Sequence, residues 1–233
     1  MSRRVSENHR RETLRESVRI APEGHPFVIA GFTALVVLLG LAWIMEFGIW
    51  WTLPAVWAPV AFWIPWFFRD PDRRGPRGES LIVAPADGRV VAISDVEEPE
   101  FMQGPARKIS IFMNVFNVHV NRHPVDGVVR YRHYRAGKFI NATLDKASTD
   151  NEQCSIGVDG RKGKLLVRQI AGLVARRIVT DPDVGDQIRQ GERLGLIRFG
   201  SRLDTFVPLE AEVRVGLGEK TLAGITVLAE WPT

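Results

Sequence analysis

In the stretch Asp183-Val184-Gly185-Asp186-Gln187-Ile188-Arg189-Gln190-Gly191-Glu192-Arg193-Leu194-Gly195-Leu196-Ile197-Arg198-Phe199, glycines and acidic residues recur at turn spacing and then give way to a short apolar run. Glycine supplies the dihedrals that tight turns need and aspartate bonds locally to the backbone, so the stretch reads as short strands joined by turns. It leads directly into Gly200-Ser201-Arg202. A Gly-Ser pair alone is ordinary turn chemistry, and only its company gives it weight.

On the C-terminal side, Ala211, Val213, Val215 and Leu217 alternate with Glu210, Glu212 and Arg214, the period of a half-buried strand, and Thr221 to Glu230 gives a last strand. On the N-terminal side, Leu81 to Ile93 is two β-branched runs around Pro85-Ala86-Asp87-Gly88, where Asp-Gly is what a hairpin turn favours. Lys108 to Val120 alternates, with Ile109, Ile111, Met113 and Val115 on one face. It is expected to carry His119 to its exposed end, a way to present a base on a rigid element. His123, a helper candidate, precedes a strand from Asp126 to Arg135, in which His133 reads as a surface residue. Gly137 to Asn151 is irregular, and such loops often close over substrates; Phe139 and Asn151 are its candidates for substrate contact. Lys164 to Ala171 and Leu173 to Val179 are strands separated by a bend at Gly172. Residues 81–233 therefore form a mainly β domain.

The N-terminal third is different in kind. From Pro26 to Phe68 there is one acidic residue, Glu46, no Lys or Arg, and every tryptophan except Trp231, a bilayer composition. Phe27 to Met45 and Ile49 to Phe68 are each long enough to cross a hydrocarbon core, with Glu46 to Gly48 as the turn. Two crossings are expected. A re-entrant hairpin is the alternative, because Pro54, Pro59 and Pro65 remove backbone donors in the second half. Arg3, Arg4, Arg10, Arg11, Arg15 and Arg19 precede the apolar block and Arg69, Arg73 and Arg74 follow it. Positive flanks stay in the cytoplasm, which puts both ends and the polar domain on the cytoplasmic side of the cell membrane. A cleaved signal peptide would have a shorter apolar core and small residues after it, whereas Trp50, Trp51, Trp57, Trp63 and Trp66 suit interface anchors. The organisation is thus a basic N-terminus over 1–25, an anchor over 26–68, a linker over 69–80 and the β domain.

The single Cys154 excludes an internal disulfide framework and agrees with a reducing location; with no histidine near it in sequence, it reads as core filler. The formal charge of +4 is modest. Its arginines cluster at the membrane flanks and at Arg176-Arg177 without the aromatic interleaving that single-stranded nucleic acid favours, so anionic lipid is the better-supported partner and nucleic acid is not expected.

Two resemblances follow. The 183–199 stretch looks like the hairpins of lipoyl and biotinyl carrier domains, which implies a barrel-sandwich-like fold. More specifically, Pro85-Ala86-Asp87-Gly88, Val118-His119-Val120-Asn121-Arg122, Gly137-Lys138-Phe139, Asp145-Lys146-Ala147-Ser148, Asn151-Glu152, Gln169-Ile170-Ala171-Gly172 and Phe199-Gly200-Ser201-Arg202, in that order and behind an apolar segment, resemble the short form of the phosphatidylserine decarboxylase proenzymes. The resemblance implies self-cleavage between Gly200 and Ser201 into a β and an α chain that stay associated, and conversion of Ser201 into a pyruvoyl group. That cofactor would act on phosphatidylserine through a Schiff base, releasing carbon dioxide and phosphatidylethanolamine. His119, oriented by Asp87, is the implied base. Phosphatidylserine and membrane lipid are the implied partners, with a homodimer left open.

The longer members of that family read Leu-Gly-Ser-Thr or Leu-Gly-Ser-Ser at the cleavage point and carry a second histidine three residues after the first; here those places hold Phe199, Arg202 and Arg122. The role of that second histidine falls to His123 or to His119 alone. Two other classes compete: a membrane-tethered, non-enzymatic carrier or scaffold in which Gly200-Ser201 is a turn, and a serine hydrolase using Ser201 and His119, although no Gly-x-Ser-x-Gly elbow supports it.

Overall fold

The computed structural model describes residues 18–45, 48–140, 147–172, 177–198 and 200–232, and the chain divides into two compact units, Met1–Asp72 and Arg73–Thr233. The arginines before Val18, Glu46, residues 141–146 with Asp145 and Lys146, residues 173–176 with Arg176, and Phe199 lie outside the described residues.

The first unit is a helical hairpin closed by a clasp. Helix α1 (His25–Met45) and helix α2 (Thr52–Phe67) are joined through a short 3-10 turn, Gly48–Trp51. They pack closely because the facing positions are small: a Cβ on Gly31 would lie 2.8 Å from Ile64 Cδ1, Ala61 is buried, and Trp57 Nε1 donates to the Gly31 carbonyl at 2.9 Å. Small residues at such a seam let backbones approach where no solvent-driven burial is available. Pro22–Met45 is long and apolar enough to cross a membrane. The 16 residues of α2 cover about 24 Å, short of the ~30 Å hydrocarbon core, and need the 3-10 turn to extend them. Strand β1 (Val18–Ile20) pairs antiparallel with β2 (Arg69–Pro71), Arg19 opposite Asp70, so the two ends of the hairpin lie side by side.

The second unit is mainly β. Its strands are β3 (Leu81–Val83), β4 (Gly88–Glu98), β5 (Gly104–Met113), β6 (Val120–Arg122), β7 (Gly127–Arg135), β8 (Gln153–Gly160), β9 (Lys164–Ile170), β10 (Ile178–Thr180), β11 (Gln187–Ile188), β12 (Arg193–Ile197), β13 (Ser201–Val207), β14 (Glu212–Val213), β15 (Lys220–Thr221) and β16 (Val227–Glu230), with one helical turn, α3 (Ala147–Asp150). A curled eight-stranded antiparallel sheet runs β11-β7-β8-β9-β13-β5-β4-β15, and two three-stranded sheets, β10-β12-β6 and β14-β16-β3, complete the unit. The alternation seen in the sequence puts Ile109, Ile111, Val167, Leu203 and Val207 into one core, and the opposite face of β13 sends Phe206 to a smaller cluster with Phe101 and Leu166.

Several local expectations change. The 183–199 stretch does not pair with itself: β11 joins β7 and β12 joins β10 and β6, so it links two sheets. The Asp87-Gly88 step is likewise a crossing, since β3 pairs with β16 whereas β4 pairs with β5 and β15. The 210–217 strand shrinks to β14, and Leu217 is exposed. The expected linker is split: Arg69–Pro71 belongs to the clasp, and the residues after Arg73 are tied to the β unit, with Arg77 Nη1 on the Gly224 carbonyl at 2.6 Å and the Gly78 N–H on Gln190 Oε1 at 3.0 Å. Arg73 is bound to Asp87 and is not a free basic flank.

Candidate active site

The Gly200–Ser201 bond lies where the chain passes from one sheet to another. Upstream, β12 is paired with β6, Leu196 opposite Val120, and the Ile197 N–H reaches the His119 carbonyl at 3.4 Å. Downstream, β13 is an interior strand of the large sheet, with β5 on one side and β9 on the other. The bond is therefore held from both directions by different sheets.

His119 is not at an exposed strand end. β5 stops at Met113, and a turn closed by the Asn117 N–H to Asn114 carbonyl bond, 3.0 Å, brings the chain back. The turn is reinforced from Asn114 N–H to Asn117 Oδ1 at 2.9 Å and from Phe116 N–H to Asn114 Oδ1 at 2.8 Å. His119 follows it fully buried. Its Nδ1 lies 3.0 Å from the Asn117 carbonyl; a carbonyl can only accept, so the proton sits on Nδ1 and Nε2 carries the lone pair. That nitrogen faces the Gly200 N–H at 3.4 Å, which agrees with the same tautomer.

Gly200 has φ +65°, and a Cβ there would meet nothing within 4 Å. The need for glycine is thus conformational, the left-handed region being costly for other residues. Ser201, the first residue of β13, pairs with Met113 and is fully buried. Its Oγ is a buried hydroxyl without a hydrogen-bond partner among the described residues. Buried polar atoms are normally satisfied, and an orphaned hydroxyl one residue from the glycine whose N–H faces His119 Nε2 invites a chemical reading.

The other expected residues are distributed as follows. Asp87 is buried, accepting from Arg73 Nη2 at 2.8 Å and from the Ala223 N–H at 2.8 Å. Its turn runs beside the strand after His119, where the Arg122 N–H donates to the Pro85 carbonyl at 2.9 Å. Asn151 spends its amide on the backbone: Nδ2 donates to Ile140 and Ala171 carbonyls at 2.8 and 2.7 Å, and Oδ1 accepts from the Ile140 N–H at 3.0 Å. It clamps the stem of the 137–151 loop. Phe139, on that stem, is half-buried against the core. His123 is not brought together with His119. It sits beyond the far end of β6, its N–H on the Glu192 carbonyl, and burial pushes its imidazole down to about 4.

Two polar groups at the site were not expected from the sequence. Gln169 Nε2 donates to Asn121 Oδ1 at 2.8 Å and Thr180 Oγ1 donates to Gln169 Oε1 at 2.7 Å, which fastens β6 and β10 to β9. Arg202, fully buried, forks onto Asp204 at 2.6 and 3.1 Å and reaches Ser110 Oγ at 3.1 Å. Two charges alternating with apolar neighbours inside a strand, Arg202-Leu203-Asp204, were the signal available for the second. Asn121 and Gln169 both fall in motifs already quoted, but nothing local pairs them. No group of His, Cys, Asp and Glu suited to a metal occurs among the described residues.

Residues 60–229 match the family model for phosphatidylserine decarboxylase. The chain is 46% identical to a phosphatidylserine decarboxylase proenzyme of Magnetococcus marinus over 216 residues, 91% of this chain and 95% of that protein. It is 48% identical to one of Symbiobacterium thermophilum over 214 residues, 91% of this chain and 96% of that protein. The Gly200–Ser201 junction between two sheets stands in a sequence that matches those proteins almost end to end, and the chain belongs to the phosphatidylserine decarboxylase family.

Proposed function

We propose that this protein cuts its own backbone between Gly200 and Ser201, converts Ser201 into a pyruvoyl group, and uses it to turn phosphatidylserine into phosphatidylethanolamine and carbon dioxide. The observation that carries the reading is the orphaned, fully buried Ser201 Oγ, one residue from a left-handed glycine whose amide faces His119 Nε2. The relatives' names, with the word proenzyme in them, support it.

The chain's residues supply each step of the cut. His119, with its Nδ1 proton engaged by the Asn117 carbonyl, carries the Nε2 lone pair that is assigned to take the Ser201 hydroxyl proton once it gives up the Gly200 N–H. Oγ adds to the Gly200 carbonyl and the Ser201 nitrogen leaves as an amine, giving an ester. Loss of the Ser201 α-proton then expels the Gly200 carboxylate by β-elimination and leaves dehydroalanine. One water adds, ammonia departs, and residue 201 ends as a ketone. No external oxidant is needed, because the serine's own elimination of its oxygen creates the unsaturation.

These residues fit the group. Residue 201 is buried at the start of β13 with Met113 opposite it, and its hydroxyl has no hydrogen-bond partner among the described residues. When formed, the group supplies an electron-accepting carbonyl to the substrate's amine. His119 is assigned to hold and return the proton. Asp87 enters on the resemblance, as the acid that steadies His119's side of the site, and Phe139, Asn151 and His123 as the substrate side, Asn151 by fixing the loop stem. The apolar hairpin supports a cell-membrane location, with the Arg flanks favouring the cytoplasmic face.

Mass spectrometry of the purified protein tests this. A large fragment ending at Gly200 and a small one with a blocked N-terminus are expected, with Ser201→Ala remaining one inactive chain. A wild type that stays intact returns the protein to the carrier or scaffold class.

A further inference from the structure

Arg202 is among the largest fully buried side chains of the protein, 1% exposed, and Asp204, its partner, is 0% exposed. Such a pair is seldom a gain over apolar residues of the same volume, because two charges must be desolvated. Its position suggests what it does. The register of β13 with β5 begins at Ser201, opposite Met113, but the register with β9 begins only at Arg202, opposite Ile170. Ser201 is thus held on one side, and Arg202 is the first residue held on both.

While the chain is continuous, residue 201 is also held by Gly200 and, through it, by β12. Cutting the 200–201 bond removes that hold and makes the first residue of β13 a chain end, where pairing frays most easily. Arg202 then carries a side chain that crosses from the new end to its neighbours: its guanidinium spans to Ser110 on β5 at 3.1 Å and along its own strand to both Asp204 oxygens. Ser148 of α3, at the closing end of the 137–151 loop, donates to Asp204 Oδ2 at 3.2 Å. The pair therefore joins three things: the end of β13, strand β5, and the loop whose stem Asn151 clamps.

We propose that the Arg202–Asp204 pair is a positioning device that holds residue 201 in register after the cut, and ties the loop beside the site to that same strand end. It rests on the proposed self-cleavage. Arg202 acts through the backbone of residue 201, so it is a positioning residue and not a catalytic one.

Hydrogen exchange at the amides of residues 202–204 tests it, in wild-type protein and in the uncut Ser201→Ala chain, each with and without Arg202→Met. In the cut protein, Arg202→Met is expected to raise exchange at least about tenfold, and in the uncut chain less than about threefold. Decarboxylation kcat should fall at least about tenfold while the rate of self-cleavage stays within about threefold. Arg202→Lys, which keeps the charge but loses the fork, and Ser110→Ala should give intermediate effects, and they replace Arg202→Met if that chain does not fold. Equal rises in both chains, no rise in either, or a folded Arg202→Met that remains uncut would each overturn the inference. A wild type that never splits overturns the proposed function with it; a wild type that splits with insensitive exchange overturns this inference alone.

Discussion

His119 Nε2 lies 3.4 Å from the Gly200 N–H, while Nδ1 lies 3.0 Å from the Asn117 carbonyl. The two contacts fix one tautomer and aim its lone pair at the N–H of the peptide group immediately before the one proposed to be cut. If His119 is the base, its removal takes away proton transfer but not the fold of either sheet. His119→Ala should slow the appearance of the small fragment by about 10²–10⁴-fold, and added imidazole should recover part of the rate. Gel densitometry of a timed refolding or synthesis reaction measures both, and an unchanged rate would assign the proton to another group.

Position 200 separates two reasons for glycine. With φ at +65° and no atom within 4 Å of a Cβ, the cost of a side chain is the left-handed backbone, roughly 1–2 kcal/mol, and not a clash. Asparagine visits this region more readily than alanine, and β-branched residues least. Cleavage rates should therefore rank Gly200 first, then Gly200→Asn, Gly200→Ala and Gly200→Val, with Ala about tenfold below wild type. A rank that followed side-chain volume, with Asn slower than Ala, would make crowding the cause after all.

The part of this architecture that could be read in the sequence is the part set by neighbours. The strands expected over 108–120, 126–135 and 164–171 stand as β5 (Gly104–Met113), β7 (Gly127–Arg135) and β9 (Lys164–Ile170), the first with Ile109, Ile111 and Met113 of its alternating face buried. What could not be read is which strand a strand meets. Asp87-Gly88 has the residues of a hairpin turn, but the same dihedrals serve a crossing between sheets, and only the distant partners β16 and β5 decide. His119 was expected at the end of β5 because the apolar alternation runs on through Val115; Asn114 and Asn117, both good turn residues, end the strand first. The strand over 201–207 and its Arg202–Asp204 pair were not read, because their place in the sheet and their burial depend on Ser110 and Ser148 far away in the chain.

Asp87 is bonded to Arg73 with side-chain exposures of 6% and 11%, and that pairing has an energetic consequence apart from any catalytic one. Breaking a buried pair by removing one partner strands the other, at about 3–5 kcal/mol. Asp87→Ala and Arg73→Ala should each lower stability by an amount near that range, and the double variant by clearly less than their sum. Carried out in the Ser201→Ala chain, a denaturation cycle measures the coupling free of cleavage. In the cleavable chain, Asp87→Ala falling well below Arg73→Ala in cutting rate would give Asp87 a chemical role besides the structural one; equal rates would leave it structural.

The clasp of the helical hairpin makes a topological prediction. Val18 stands opposite Pro71 and Ile20 opposite Arg69, so both ends of the apolar block share one side of whatever it enters. Cysteines at Val18 and Pro71, in a Cys154→Ser background, should crosslink with a short bifunctional reagent, and both should be labelled by an impermeant maleimide from the same membrane face. Labelling from opposite faces would break the clasp and leave a single crossing.

The last consequence concerns pH. His123 is buried, and desolvation pushes its imidazole down from the ordinary 6.5 to about 4. The unfolded chain therefore takes up this proton first as pH falls. Its contribution to stability is whole above about pH 6.5 and is lost progressively towards pH 4, in total about 3 kcal/mol from the size of the shift. The Ser201→Ala chain in detergent should show a melting temperature that drops between pH 7 and pH 4.5, and His123→Gln, which cannot titrate, should flatten that part of the drop. If the two chains lose stability in parallel across this window, the imidazole is not held neutral by the fold, and carboxylates elsewhere in the protein account for its acid sensitivity.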